Sequence, residues 1–175
     1  MSLYGERQIR GNSTKWKNWM CMFTPTTCVP CMKKHGSIYP YNTPFVPLHE
    51  HCYCELVPMR CIPAGKATMA KEAGVDIYLK YIGALPANYI SKEFATKHGW
   101  IPEKGNLADT LPGKVIGGSL YRNIDGKLPK DKARVWHEAD FDYSSGYRND
   151  SRILYSSDGL IFVTYDHYKT FYEIK

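Results

Sequence analysis

Glu138 and His167 are the residues of this chain whose chemistry best suits proton transfer around a phosphate. A carboxylate can take the proton from a hydroxyl group, and an imidazole can give one to a leaving oxygen. The cations Lys92, Arg148 and Arg152 can stabilise the negative charge that gathers at phosphorus in the transition state. Since RNA supplies its own nucleophile, the 2′-hydroxyl, this set predicts RNA cleavage without a metal.

Each of these residues also fits a structural role when it is considered alone. A glutamate on a strand usually lies on a solvated face, and a single histidine is more often structural than catalytic. Arg148 and Arg152 can form ordinary surface ion pairs. The functional interpretation therefore depends on the fold bringing these side chains together.

A strand predicted over residues 135–143 gives Glu138 a rigid position, with alternate residues on opposite faces. The face expected to supply part of the core bears Val135, His137, Ala139 and Phe141. The opposite face bears Trp136, Glu138 and Asp140. Asp140 is the expected partner of Arg148 and Arg152, which flank the next strand. His167 follows a later strand, so pairing of successive strands brings the set to one concave face.

The second part of the chain has helical patterns first and strand patterns later. One helix is predicted over residues 70–81 and another over residues 106–111. Between them, a short helix is predicted to be capped by Ser91, to end at Gly99 and to have Phe94 and Ala95 facing inward. Strands are predicted over residues 115–121, 135–143, 152–156, 160–165 and 171–174. Tight turns such as Ser157-Asp158-Gly159 favour antiparallel pairing. This order predicts an α+β fold, with N-terminal helices packed on an antiparallel sheet.

All 6 cysteines lie within the first 61 residues, which indicates a domain boundary there. Residues 1–61 are predicted to form a small Cys/His module, and residues 62–175 an ordinary domain. The prolines at positions 25, 30, 40, 44, 47 and 58 are expected to break any long helix or central strand in the module. Such a small module needs a metal or disulfides as a staple.

The spacing Cys28-x-x-Cys31, then His49-x-x-Cys52, supplies the four N/S ligands that tetrahedral zinc prefers. We therefore predict a closed, structural zinc site. Alternative ligands are Cys54, His35 and His51. The other interpretation is that the cysteines form disulfides or remain free thiols. Disulfides are typical of exported proteins, so the lack of an export signal counts against them.

Charge and hydropathy exclude several classes of protein. The net charge of +6 and the pI of about 8.9 favour a polyanionic partner. No apolar run approaches the roughly 20 residues of a membrane span, and the N-terminus lacks the apolar core of a secretory signal. We expect action on RNA in the cytoplasm, by a segment delivered or released as part of a larger protein.

Residues 20–58 resemble the cysteine/histidine motif of phage minor-head, or head-morphogenesis, proteins. The matching pattern is Cys28-x-x-Cys31-x-x-x-His35-Gly36 with Tyr39, then Pro47-x-His49-x-x-Cys52-x-Cys54. The usual second half is His-Pro-x-Cys-Arg-Cys, whereas Glu50 and Tyr53 stand at the differing places here. The resemblance implies a phage-derived context, with phage-like particle proteins as partners, and it implies no reaction.

Residues 66–175 resemble the barnase-like, guanyl-preferring ribonucleases. The shared stretches are Leu85-Pro86-x-Asn88-Tyr89-Ile90, Gly105-Asn106-Leu107-Ala108-Asp109, Ile116-Gly117-Gly118, Gly126-Lys127-Leu128-Pro129, Trp136-x-Glu138-Ala139-Asp140, Ser145-Gly146-x-Arg148-Asn149, Arg152-Ile153-Leu154-Tyr155-Ser156-Ser157-Asp158 and Asp166-His167-Tyr168. They run in order through nearly the whole domain, and the resemblance implies the active site on the open face of the sheet.

The resemblance also implies a role for individual residues. It assigns Glu138 as base and His167 as acid. The phosphate ligands it implies are Lys92, Arg148 and Arg152. The substrate-binding residues it implies are Tyr168 in the groove and Asn123 and Asp125 in the guanine-reading loop. The family has arginine at Ile124, glutamate at Asp125 and tryptophan at Gly159, so the guanine preference of this chain is an open question.

Two functions from different classes follow. The first is a cytotoxic endoribonuclease, the effector domain of a phage-derived or polymorphic toxin protein from which this chain is excised. Such an enzyme requires a neutralising partner, and the resemblance implies an acidic, barstar-like inhibitor. The alternative is a non-catalytic, capsid-associated nucleic-acid-binding or adaptor module.

Overall fold

A computed structural model of the chain describes residues 9–24 and 27–175. Residues 1–8 and 25–26 of the predicted module, Pro25 included, lie outside the described residues. The strands are β1 (Asn12–Cys21), β2 (Ile38–Pro40), β3 (Cys54–Ile62), β4 (Tyr89–Ile90), β5 (Val115–Tyr121), β6 (Trp136–Asp140), β7 (Arg152–Ser156), β8 (Ile161–Thr164) and β9 (Tyr172–Ile174). The helices are α1 (Val29–Lys34), α2 (Val75–Tyr81), α3 (Lys92–Lys97) and α4 (Leu107–Thr110), with 3-10 turns at Lys71–Ala73 and Pro102–Lys104.

In the described part of the chain the strands form one nine-stranded sheet in the order β2-β1-β3-β9-β8-β7-β6-β5-β4. Strands β5 to β9 follow one another in space as they do in sequence, and each pairs antiparallel with the next. The α+β prediction and the predicted meander are therefore confirmed. Two pairs are parallel, β3 with β9 and β4 with β5. None of the helices in the described residues is long and apolar enough to cross a membrane.

The predicted boundary between residues 61 and 62 falls inside β3. This strand pairs with β1 on one side, and through Cys61 and Ile62 with β9 on the other. The first 61 residues and the rest of the chain therefore share one sheet. The division into a module of residues 1–61 and a domain of residues 62–175 stays a prediction.

The prediction that proline breaks every central strand of the module is wrong for Pro58, which lies within β3 opposite Lys17 of β1. A proline lacks the N–H that a ladder with two neighbours requires. The strand β9 pairs only with the last two residues of β3, so Pro58 has a ladder partner on one side. The register of β1 against β3 also shifts between Asn12 and Lys17, which makes the ladder irregular there.

Two hydrophobic clusters lie on the sheet. One joins α2 to the sheet; it contains Val75, Leu79, Ala139, Phe141, Ile153 and Val163. The other joins the sheet to the N-terminal region; it contains Ile38, Met59, Leu128, Trp136, Leu154, Phe162 and Phe171. Both faces of β6 therefore supply core. This corrects the prediction for residues 135–143, because Trp136 is buried and Val135 is exposed.

The short helix α3 shows what local sequence signals can decide. The hydroxyl of Ser91 accepts a hydrogen bond from the backbone N–H of Phe94 at 3.0 Å, as the predicted N-cap requires. Ala95 is fully buried, which confirms its inward position. The prediction for Phe94 is wrong, because its ring is 44% exposed and stacks on His98 one turn later. In the cluster around Ala95, Trp100 and Leu107 supply the large side chains.

Candidate active site

Glu138 lies at the centre of the site, on β6 between Ser119 of β5 and Leu154 of β7. Its side chain is 12% exposed, so the carboxylate is largely removed from water but still reachable. One oxygen, Oε2, accepts a hydrogen bond from the phenol of Tyr168. The other, Oε1, lies 3.5 Å from the ammonium of Lys92. The carboxylate is thereby held between a neutral donor and a cation.

Lys92 is the first residue of α3, directly after the capping Ser91. Its side chain is 39% exposed, more than any other predicted cation of the site. The helix cap fixes the backbone from which the ammonium reaches Glu138. Lys92 can therefore contact both the carboxylate and a bound phosphate.

Asp140 holds the two predicted arginines, as the sequence indicated. Its carboxylate accepts two hydrogen bonds from Arg148, from Nε at 2.6 Å and from NH2 at 2.7 Å. These hydrogen bonds hold the pKa of Arg148 above its usual value. The Nε of Arg152 lies 3.1 Å from the same carboxylate, an ion pair without hydrogen-bond alignment.

Arg152 is almost completely buried, with 5% of its side chain exposed, whereas Arg148 is 23% exposed. Arg152 also donates to the backbone oxygens of Asn149 and Ser151. Glu138 and Asp140 are two residues apart on β6 and so point to the same side of the sheet. The arginine pair therefore lies on the Glu138 side of the strand.

His167 and Tyr168 lie in the loop of residues 165–171, which connects β8 to β9. Both have left-handed backbone conformations, with φ of 53° and 67°. His167 is exposed, its backbone N–H donates to the oxygen of Asp150, and its ring centroid lies 4.8 Å from that of Tyr168. The imidazole is therefore available to a ligand beside the phenol that binds Glu138.

Asp166 holds this loop in its strained conformation, a role that sequence reasoning missed. Its carboxylate accepts hydrogen bonds from the hydroxyls of Thr164 and Thr170 and from the backbone N–H groups of Lys169 and Thr170. Burial opposes ionisation of Asp166, but these hydrogen bonds prevail and leave its pKa below the ordinary value. The sequence signal for this role is an aspartate two residues after β8, with threonines at positions 164 and 170.

Asn123 shapes the loop of residues 122–128 with its own side chain. The amide donates to the oxygen of Leu128 at 2.9 Å and accepts from its N–H at 3.0 Å. Asn123 is buried and has a φ of 50°, so its side chain serves the backbone of the loop. Asp125 is exposed at the tip of the loop and accepts from the N–H of Lys127. Ile124 is 86% exposed.

Two further residues connect this loop to the Glu138 site. The ring of Tyr121 stacks on that of Tyr168 at 5.4 Å between centroids. The ammonium of Lys127 donates to the backbone oxygen of Tyr168 at 2.9 Å. Burial raises the pKa of Tyr168, and its hydrogen bond with Glu138 raises it further, so the phenol stays a proton donor to the carboxylate. A cleft of about 520 Å³ is lined by Tyr121 together with Arg122, Asn123 and Ile124 of the loop.

The predicted site residues thus form two neighbouring groups. Glu138, Lys92, Tyr168 and the arginines held by Asp140 lie together, with His167 beside Tyr168. Asn123 and Asp125 belong to the adjacent loop, which Lys127 and Tyr121 connect to the first group. Nothing in the sequence spacing marked Tyr121 as a contact of Tyr168.

The predicted metal ligands form a second, separate cluster. Cys28 caps the N-terminus of α1, and Cys31 lies on its first turn. The Nε2 of His49 is 3.2 Å from the sulfurs of both cysteines, and the sulfur of Cys52 is 3.7 Å from that of Cys31. Ligand atoms of a tetrahedral zinc site lie about 3.3–3.8 Å apart, given Zn–S of about 2.3 Å and Zn–N of about 2.0 Å. Among the described residues Cys28, Cys31 and His49 have ligand atoms all within 4.8 Å of one another, which fits three ligands of a zinc ion, whereas Cys52 approaches only Cys31 and lies outside this group.

The hydrogen bond at the other ring nitrogen also favours His49 as a metal ligand. Its Nδ1 lies 2.6 Å from the backbone oxygen of Glu50, so a proton on Nδ1 is satisfied and Nε2 is left for a metal. A hydrogen bond with the backbone at Leu48 lowers the pKa of Cys52 to about 7, although burial opposes this shift. A low thiol pKa favours the thiolate, which is the form that binds zinc.

The alternative ligands differ in their positions. Cys54 groups with Cys21 and Cys31, all three buried, and so also approaches the cluster. The Nδ1 of His35 accepts a hydrogen bond from the N–H of Cys21. His51 is exposed beside Glu50. All six cysteines are free thiols in the structure.

The part of the chain that contains Glu138 and its neighbours is similar to known proteins. A family model described as ribonuclease matches residues 74–175. Proteins named ribonuclease from Heyndrickxia coagulans, Bacillus intermedius and Bacillus pumilus are each 51% identical to this chain over 102 residues, or 58% of it. The match spans 94% of the H. coagulans protein and 63% of the other two. The cysteine/histidine cluster lies outside the matched region. The chain belongs to the ribonuclease family and is an endoribonuclease.

Proposed function

We propose that this endoribonuclease cleaves single-stranded RNA without a metal, by attack of the 2′-hydroxyl on the adjacent phosphodiester. The observation that carries this proposal is the position of Glu138, a mostly buried carboxylate that still reaches solvent beside Lys92 and the arginines held by Asp140. A base and a set of cations on one side of a strand are what the reaction requires.

In the proposed reaction Glu138 takes the proton from the 2′-hydroxyl as that oxygen bonds to phosphorus. His167 gives a proton to the 5′-oxygen as its bond to phosphorus breaks, which leaves a 2′,3′-cyclic phosphate and a free 5′-hydroxyl. Lys92 and Arg148 contact the equatorial oxygens, where negative charge is greatest in the transition state. Arg152 is buried, so it contributes positive charge to the site without contacting the phosphate directly. DNA lacks the 2′-hydroxyl and resists this route.

Base recognition is proposed for the loop of residues 122–128. Asp125 is exposed at its tip and can accept hydrogen bonds from a guanine edge, while Asn123 fixes the backbone around it. Tyr168 lines the groove between the loop and Glu138. Ile124 provides an apolar surface where the related enzymes have a cation, so base selectivity is expected to be weaker than in barnase-like ribonucleases.

Cys28, Cys31, His49 and Cys52 are proposed to hold a structural zinc ion. The support is the donor set of four N/S ligands and the grouping of Cys28, Cys31 and His49, with Cys52 beside Cys31. Four protein ligands close the coordination sphere, so the ion stabilises the module and takes no part in RNA cleavage.

The biological context proposed is a toxin, with the ribonuclease as effector of a phage-derived or polymorphic toxin protein that acts on cytoplasmic RNA. The support is the phage-type motif in residues 20–58 together with a ribonuclease in the same chain. Because the site presents several cations, its neutralising partner is proposed to be an acidic, barstar-like protein. Failure of such proteins to bind at micromolar concentration would count against this partner.

One assay tests the proposed reaction. Purified protein is incubated in EDTA with a fluorescent RNA oligonucleotide and, in parallel, with DNA of the same sequence. We expect RNA alone to be cleaved, with a 2′,3′-cyclic phosphate end, and Glu138→Ala or His167→Ala to abolish cleavage. Intact RNA that is nevertheless bound would instead support a non-catalytic, capsid-associated nucleic-acid-binding or adaptor module.

A further inference from the structure

The segment of residues 36–38, which follows α1 and ends at the first residue of β2, contacts the two loops that carry the proposed site. It follows directly on His35, the C-cap of the helix that bears Cys31. The loops are residues 122–128, with Asn123 and Asp125, and residues 165–171, with His167 and Tyr168. The segment lies outside the region shared with the ribonuclease relatives.

Gly36 makes the closest approach to the second loop. Its φ is +80°, and a Cβ atom built on it would overlap the backbone oxygen of Lys169. The obstacle is backbone, which cannot rotate away as the end of a flexible side chain can. Only glycine therefore allows residue 36 and Lys169 to lie this close together.

The segment is itself fixed on β1, so it can resist movement of the loop. The N–H of Gly36 donates to the oxygen of Trp19 at 2.8 Å, and the N–H of Trp19 donates to the oxygen of Ser37 at 2.8 Å. The buried amide of Asn18 donates to the oxygen of Gly36 at 3.2 Å. Backbone hydrogen bonds on both sides of residue 36 hold it in place.

Ile38 makes the contact with the first loop. Its N–H donates to the oxygen of Lys127 at 2.7 Å, and its buried side chain packs in the cluster with Leu128 and Phe171. Lys127 in turn donates from its ammonium to the backbone oxygen of Tyr168. The segment thus touches both loops, and Lys127 ties them together beside Tyr168.

We propose that residues 36–38 are a positioning element of the ribonuclease site, which fixes His167 and Tyr168 relative to Glu138. This inference rests on the proposed RNA cleavage. The family model begins at residue 74, so this support for the site comes from a part of the chain outside the matched ribonuclease region.

The test compares Gly36→Ala with Gly11→Ala. Gly36 follows α1 and Gly11 precedes β1, and the two have nearly the same φ, +80° and +78°. A Cβ at residue 11 meets nothing within 4 Å, so this control carries the backbone strain without the clash. We expect kcat for RNA to fall about tenfold or more in Gly36→Ala relative to Gly11→Ala, since small displacements of catalytic groups cost rates of this order.

A second readout separates positioning from stability. Amide chemical shifts of His167 and Tyr168 should change in Gly36→Ala and stay as in the unaltered protein in Gly11→Ala. These shifts can be measured whether or not RNA is cleaved. If the unaltered protein does not cleave RNA, the proposed function fails, but the shifts still test the contact between residue 36 and the loop. Equal kcat values and equal shifts in the two folded variants would overturn the proposal.

Another pair covers the case in which Gly36→Ala does not fold. Ile38→Ala removes packing against the loops, whereas Leu56→Ala removes packing within the module, around Trp19 and Cys31. We expect Ile38→Ala to lower kcat and to shift the His167 and Tyr168 signals, and Leu56→Ala to do neither. The same effect in both variants, or in neither, contradicts a positioning role for the segment.

Discussion

The phenol of Tyr168 donates a hydrogen bond to one oxygen of Glu138, while the ammonium of Lys92 lies 3.5 Å from the other. The two partners act differently on the carboxylate. Lys92 is partly exposed and can move toward a bound phosphate, whereas Tyr168 is fixed by stacking on Tyr121 and by its place in the loop. The phenol is therefore the partner that keeps Glu138 oriented while RNA enters.

Removal of this phenol should slow RNA cleavage. In Tyr168→Phe the carboxylate of Glu138 loses the hydrogen bond that orients it, while the contact with Lys92 remains. We expect kcat to fall by about tenfold, since small displacements of a catalytic group cost rates of this order. The control is Tyr121→Phe, which removes a neighbouring hydroxyl and keeps both the stacked ring and the donor to Glu138. An unchanged kcat in Tyr168→Phe contradicts this role.

Substitution of the proposed base and acid should affect the chemical step. We expect Glu138→Gln and His167→Gln each to lower kcat by about 100-fold or more, the usual contribution of general acid–base catalysis. Single-turnover cleavage of an RNA oligonucleotide measures the change. Glu55→Gln, at an exposed glutamate on β3, is the matched control for Glu138→Gln. Comparable rates in Glu138→Gln and Glu55→Gln would remove Glu138 from the mechanism.

Asp140 should be more important for stability than an exposed carboxylate. Its side chain is 2% exposed and faces two arginines, so Asp140→Asn leaves buried positive charge without its partner. Loss of one member of a buried ion pair costs about 3–5 kcal/mol. Urea denaturation measures the loss, and Asp131→Asn at an exposed turn is the comparison. A small and equal effect in the two variants contradicts the buried network.

Asp158 should contribute stability that depends on pH. Hydrogen bonds from Arg134, and then from Ser156, lower its pKa from 3.8 to about 2. Because the folded protein binds this proton less tightly than the unfolded chain, the stabilisation is present above pH 3.8 and is lost as the pH falls toward 2. We expect Asp158→Asn to lower the free energy of unfolding at neutral pH by less than about 1 kcal/mol, since Asp158 is 47% exposed.

Unfolding curves of Asp158→Asn and of the unaltered protein, measured across this range, check the sign. The difference in free energy should shrink as the solution becomes more acidic. A difference that grows below pH 3.8 contradicts the assignment of the stabilisation to the Arg134 and Asp158 pair.

The cysteine/histidine cluster should bind one zinc ion per chain. We expect metal analysis to find zinc in the purified protein, and Cys28→Ser or Cys52→Ser to lose it together with thermal stability. Cys61→Ser, whose thiol lies apart beside Glu173, should keep the metal. Loss of zinc in Cys54→Ser and its retention in Cys52→Ser would assign the fourth ligand to Cys54. Full RNA cleavage by a folded Cys52→Ser variant that has lost its zinc separates the ion from the chemistry.

Local sequence signals predicted much of the second half of the fold. The strands β5 to β9, the cap at Ser91 and the pairing of Asp140 with two arginines follow from alternation, capping chemistry and charge. The orientation of Val135 and Trp136 did not follow, because both faces of β6 are covered and alternation alone does not tell which residues contact the second cluster.

The first half of the fold depends on contacts between residues distant in the chain. The strand β3 tolerates Pro58 only because β9 is short and pairs with β3 beyond it. The approach of Gly36 to Lys169 joins positions more than 130 residues apart and leaves no local pattern except the glycine itself. The spacing of Cys28, Cys31, His49 and Cys52 predicted a zinc site, which stays a prediction; three of these residues, Cys28, Cys31 and His49, lie together in the structure.

Pairing of β3 with β9 has a consequence for how the protein behaves at high concentration. Without β3, the strand β9 would present unpaired N–H and C=O groups, and such an open edge recruits strands from other molecules. The described sheet instead terminates in β2, three residues ending at Pro40, and in β4, two residues. Strands this short offer little template for intermolecular pairing, so the N-terminal region also protects the enzyme against aggregation.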